Sequence, residues 1–145
     1  MKRFINLLIL MAVVSVTAVA QENLSIGRLF DGRYHDEPRA AETYIAGGKL
    51  SGYDLSLYRS LTLTGMPQEA APIEKLVTHD AAGAVDREVS YRDGGLYYGF
   101  YELKPVKSTR RYLFYLNQNR NKGDKIIIIY LEGKASRDKI KAMLK

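Results

Sequence analysis

The chain has no cysteine and no tryptophan, and only two histidines among 145 residues. Without cysteine there is no disulfide to staple the fold, no thiolate zinc site and no thiol nucleophile. The two histidines, His35 and His79, each stand beside an aspartate. A two-histidine, one-carboxylate metal site is chemically feasible, but nothing in the spacing brings the pair together. Two solvated histidines are therefore expected. No serine occupies a G-x-S-x-G elbow. The paired carboxylates Asp86/Glu88 and Glu69/Glu74 are of the kind any exposed helix face carries. The chain is thus read as having no catalytic residue, no metal site and no cofactor, and as not being an enzyme.

Long apolar runs are equally scarce, and the longest stands at the start. Lys2 and Arg3 precede Phe4 to Val19, which is apolar apart from Asn6, Ser15 and Thr17, and Ala18-Val19-Ala20 follows. A positive start, an apolar centre and a small-x-small end are what a secretory signal peptide requires. The run is too short for a spanning helix, which needs about 20 apolar residues. Residues 1–20 are read as a cleaved leader and residues 21–145 as one domain, periplasmic or secreted. Losing Lys2 and Arg3 leaves 20 basic residues against 16 acidic ones, a net charge of +4. Asn23-Leu24-Ser25 is the one Asn-x-Ser in the chain, of consequence only where the host glycosylates such sites.

Ile126 to Leu144 (IIIIYLEGKASRDKIKAML) raises the question of a nucleotide, since a strand, Gly-Lys and a helix start are parts of a phosphate-binding loop. That loop is G-x-x-x-x-G-K-[ST]. With Gly133-Lys134 as the GK pair, its first glycine falls on Ile128 inside the strand and its hydroxyl on Ala135. Glu132 adds a negative charge where phosphate would sit. No nucleotide is expected, and Gly133 is read as turning the chain from strand to helix.

Along the rest of the chain, Asn23–Tyr34 has roughly helical spacing, and Thr43–Gly48 reads as a short strand. Tyr53, Leu55, Leu57, Leu61 and Leu63 alternate with polar residues, as in a strand with one buried face; Arg59 is the exception on its apolar side. A helix opens at Pro72 and its apolar stripe extends through Ile73, Leu76, Val77, Ala81, Ala84, Val85 and Val89, with Asp93-Gly94-Gly95 ending it. Strands follow at Leu96–Leu103, Arg111–Asn117 and Lys125–Leu131, the isoleucine run lying centrally because it is apolar on both faces. Ser136 is the expected N-cap of a last helix. The expected fold is α+β, an antiparallel sheet of about five strands with helices on one face, in the order α-β-β-α-β-β-β-α.

One stretch has an excess of one charge. Lys104, Lys107, Arg110, Arg111, Arg120, Lys122 and Lys125 are balanced between positions 104 and 125 by Asp124 alone. Tyr97, Tyr98, Phe100, Tyr101, Tyr112, Phe114 and Tyr115 lie on the neighbouring strands. Exposed aromatics among cations would form a stacking surface for single strands. Export removes the usual nucleic-acid partners, and strand aromatics usually serve the core. If this edge binds, an anionic glycan or an envelope polyanion is the expected partner, with Lys104, Lys107, Arg110 and Arg111 as the anion-binding residues.

EVSYRDGGLYYGFYELKP, RRYLFYLNQNR and KIIIIYLEGKASRDKIKAML together resemble the C-terminal half of small exported Bacteroidetes proteins of unknown function, and GYDLSLYRSLTL resembles the same group. The resemblance implies export and one α+β domain closed by a strand-Gly-helix unit, and it carries no activity to any residue. The expected role is a non-enzymatic binding or structural component of the cell envelope, soluble after leader removal, whose partner is an envelope protein or an anionic glycan. The alternatives are a polyanion- or glycan-binding module using the basic edge, and a small hydrolase or metal-dependent enzyme using His35 or His79 with nearby carboxylates.

Overall fold

The computed structural model describes residues 24–144; the expected leader at 1–20 and the Asn23 start of the first expected helix lie outside the described residues. A 3-10 segment, Ser25–Phe30, comes first. The strands are β1 (Ala40–Ala46), β2 (Leu55–Thr64), β3 (Asp86–Arg92), β4 (Gly95–Val106), β5 (Thr109–Asn117) and β6 (Lys125–Gly133). Helix α1 (Ala70–Ala81) separates β2 from β3, and α2 (Arg137–Met143) follows β6. The strands form one sheet in the order β1-β2-β6-β5-β4-β3, antiparallel throughout. Among the described residues no helix is long and apolar enough to cross a membrane.

The sheet thus has six strands rather than about five, and the extra one is β3. Val85, just before it, and Val89 within it continue the apolar spacing of α1 by coincidence, but the buried stripe of that helix is Ala70, Ile73, Val77 and Ala81. Asp93-Gly94-Gly95 is not a helix stop. Asp93 (φ 54°) and Gly94 (φ 80°) are both left-handed, as the centre of a two-residue type I′ hairpin turn requires. Arg92 pairs with Gly95 across that turn.

The helices cover both faces of the sheet instead of one. On one face Leu61, Leu63, Leu113, Tyr115, Ile126, Ile128 and Tyr130 pack with Ile26, Leu29 and Phe30 of the 3-10 segment and with Ile73 and Val77 of α1. On the other, Leu55, Phe100, Tyr112, Phe114, Ile129 and Leu131 pack with Ile140 of α2 and with Leu50. The physical cause is the two-sided apolar character of β5 and β6, which must be buried twice. As expected from its isoleucines, β6 lies inside the sheet, between β2 and β5.

Two bulges reset which residues share a face. Leu55 pairs with Gly133 and Leu57 with the adjacent Glu132, leaving Ser56 as an extra residue. Leu55 therefore packs toward α2 and Leu57 toward α1, and the single apolar face expected for Tyr53 to Leu63 is divided. Tyr53 precedes the strand and is exposed. A second bulge at Tyr97 turns Leu96 toward α1 while Tyr98 and Phe100 face α2. An extra residue shifts a period-2 pattern by one and so exchanges faces.

The strand-Gly-Lys-helix unit has a structural use. A Cβ on Gly133 would lie 2.5 Å from the Asp54 carbonyl oxygen and 2.6 Å from Leu55 Cα, so only glycine lets the chains approach. That carbonyl accepts from the amides of Lys134 (2.8 Å) and Ala135 (2.9 Å). Ser136 caps α2 by accepting from the Lys139 amide at 3.3 Å.

Candidate functional site

Arg59, the one charge in the apolar register of β2, lines a cavity of the described surface. It stands directly opposite Tyr44 on the edge strand β1. Its guanidinium lies 4.6 Å from the ring centre of Phe30 and 5.1 Å from that of Tyr44, and Nη2 donates to the Phe30 carbonyl at 2.9 Å. Cations held over ring faces in this way are attracted by the negative ring centre, the more so when partly desolvated. Burial lowers the Arg59 pKa, an effect opposed by Tyr44 and Glu42. Around this clamp opens a pocket of about 550 Å³ whose lining includes Phe30, Asp31, His35, Glu42, Tyr44 and Arg59. His35 Nε2 lies 3.6 Å from Glu42 Oε2 on its wall.

Phe30 reaches this position because the 3-10 segment is anchored at its start. The Asp80 side chain, 1% exposed, accepts from the amides of Ser25 (2.7 Å) and Ile26 (2.8 Å). His79 Nδ1 and Ser25 Oγ are 2.8 Å apart. The His79-Asp80 pair therefore ties the segment to α1, while His35 belongs to the pocket. Among the described residues, no cluster of three or more His, Asp or Glu side chains could hold a metal.

The carboxylates weighed for acid–base chemistry all have partners in the fold. Glu69 accepts from the Tyr34 hydroxyl (2.7 Å) and Glu74 from the Leu96 amide (3.1 Å). Asp86 pairs with Arg137 and Glu88 with Lys141, joining β3 to α2. A buried acid that sequence reasoning did not single out is Glu132, 4% exposed, which accepts from the Tyr130 hydroxyl at 2.6 Å. Burial raises its pKa above the usual carboxyl range, against the opposing effects of that hydrogen bond and of Arg111.

The four expected anion-binding residues gather at the β4–β5 hairpin. Lys107 is left-handed in the turn (φ 57°), and Lys104 and Arg110 are exposed beside it. Arg111 is half-buried and its Nε donates to the Lys104 carbonyl at 2.8 Å. Arg120, Lys122 and Lys125 lie at the other end of β5, about 30 Å away at ~3.3 Å per residue, so the basic stretch forms two groups. Phe100, Tyr101, Tyr112, Phe114 and Tyr115 are buried, and among the seven strand aromatics only Tyr97 and Tyr98 are partly exposed. They border a smaller, mostly apolar pocket of about 320 Å³ beside Leu144 and Lys141.

Sheet, helices and pocket together define a small α+β domain with one antiparallel sheet and a clamped arginine at its edge. The chain belongs to a family of unknown function, DUF6108, which it matches over residues 13–144. No curated protein and no solved structure matches it.

Proposed function

We propose that the protein is an exported, non-enzymatic binding component of the cell envelope that takes a small ligand in the Arg59 pocket. The observation that carries this reading is the half-buried guanidinium held between Phe30 and Tyr44 on the wall of that cavity. Ligand sites are typically concave, about 300–1,000 Å³, with apolar walls and a few placed polar groups, and the pocket agrees in size and lining. Export is supported by the leader pattern of residues 1–20. The non-enzymatic character is supported by the structural engagement of Glu69, Glu74, Asp80, Asp86 and Glu88.

The test is to express the full chain in a host with a periplasm, fractionate the cells and examine the protein by native mass spectrometry. A chain beginning at Gln21 in the periplasmic fraction, with a retained mass that Arg59→Met loses, is the expected result. Unprocessed Met1 in cytosolic protein would overturn export. Identical spectra for wild type and variant would overturn the pocket.

The exposed cations at the β4–β5 turn favour a second reading, in which a polyanion binds there. Contacts of that kind predict affinity falling steeply with salt. Binding of heparin unchanged between low and high salt would count against it.

A further inference from the structure

We infer that the Arg59 pocket takes a zwitterion, a free amino acid or short peptide with both its ammonium and its carboxylate unblocked; this rests on the pocket being the binding site. Its lining carries charges of both signs in fixed places. Arg59 is the cation, seated between two rings. Glu42 stands on β1 and Asp31 just after the 3-10 segment, so carboxylates belong to two different walls of the same cavity. Glu42 opposes Leu61 while Arg59 opposes Tyr44, which makes Glu42 and Arg59 diagonal neighbours on one face, at about 7–8 Å between strands.

Single-charge ligands fit this lining poorly. Two carboxylates stand in this lining beside Arg59 and His35, so a sulfate, a phosphate or a polyanion would meet negative charge as well as positive. A simple cation would meet Arg59. A molecule with both charges places its carboxylate on the guanidinium and its ammonium between Glu42 and Asp31, and hydrogen bonds to charged groups are the stronger kind. The Phe30 and Tyr44 rings then offer an apolar wall to its side chain.

The test uses the dipeptide alanyl-phenylalanine in three forms, free, N-acetylated and C-amidated, titrated calorimetrically into the processed protein. The free form is expected to bind about tenfold or more tightly than either blocked form, the range one charge-assisted hydrogen bond supplies. Arg59→Gln should erase the difference between free and amidated peptide. Glu42→Gln, a change at the pocket rim that leaves Asp31 in place, should narrow the difference between free and acetylated peptide and serves if Arg59→Gln perturbs folding. Equal binding of free and acetylated forms, both lost in Arg59→Gln, would replace the zwitterion with a plain anion and leave the pocket standing. Absence of binding by all three forms, with a retained mass still present in native spectra, would overturn the ligand class alone. Binding that neither variant alters would overturn both the zwitterion and the pocket.

Discussion

Replacing Asp80 by alanine should detach the segment that forms one wall of the pocket. The Asp80 carboxylate is 1% exposed and accepts from the Ser25 and Ile26 amides at 2.7 and 2.8 Å. Hydrogen bonds to a charged group contribute about 1.5–3 kcal/mol each. Both amides are only part-buried and water can reach them in the variant, which places the loss near the low end, about 3 kcal/mol for the pair. A domain of this size has roughly 5–15 kcal/mol of total stability, so Asp80→Ala should remain folded with its midpoint clearly lowered. Asp80→Asn retains one acceptor oxygen and should lose about half as much. His79→Ala removes the exposed contact with Ser25 Oγ and the 3.6 Å approach of its ring to Asp80 Oδ1, and should change stability by less than ~0.5 kcal/mol. Urea unfolding followed by circular dichroism measures all three, and amide exchange should show protection lost first at Ile26 to Phe30. An Asp80→Ala midpoint indistinguishable from wild type, with exchange at Ile26 unchanged, would refute the anchoring role.

Glu132→Gln should be more stable relative to wild type at neutral pH than in acid. A carboxyl whose folded pKa is raised contributes stability below its ordinary value near 4.5, and that contribution is lost as pH rises through the folded value; a gap between variant and wild type that does not widen from about pH 4 to about pH 8 would contradict the assignment. Gly133→Ala places a Cβ against the backbone of Asp54 and Leu55, and should lower stability by about 2 kcal/mol or more in a denaturant titration. Gly95→Ala collides with the Arg120 guanidinium, which donates to the Arg92 and Asp93 carbonyls. Its penalty should shrink in an Arg120→Ala background, and strict additivity in that double-mutant cycle would argue against the contact.

Legibility in the sequence followed the range of the forces involved. Lys125 to Leu131 read as a central strand because a run apolar on both faces has no other place in a sheet, and Ser136 read as a cap because its hydroxyl needs only the amide three residues on. Val85 to Arg92 misread as helix because its spacing extended that of α1, although Asp-Gly in Asp93-Gly94 is the stronger local signal for a hairpin. Of the pocket, Arg59 was visible as a charge where the register of β2 called for an apolar side chain, and His35 as one of two histidines beside an aspartate, with nothing to join the two. Phe30, Glu42 and Tyr44 could not be joined to Arg59, because no spacing in the chain encodes which strand is paired at the edge or where a 3-10 segment lies.

By itself, the amino-acid order determined the α+β class, the closing strand-glycine-helix unit and the absence of thiol chemistry, all of which depend on composition or on neighbours within a turn or two. Tertiary structure alone decided that the helices divide between the two faces, that bulges at Ser56 and Tyr97 exchange which side chains are buried together, and that Arg59 meets Phe30 and Tyr44. Those outcomes follow from pairing between distant strands, where one extra residue reverses a face and where burial on both sides of β5 and β6 requires two covers.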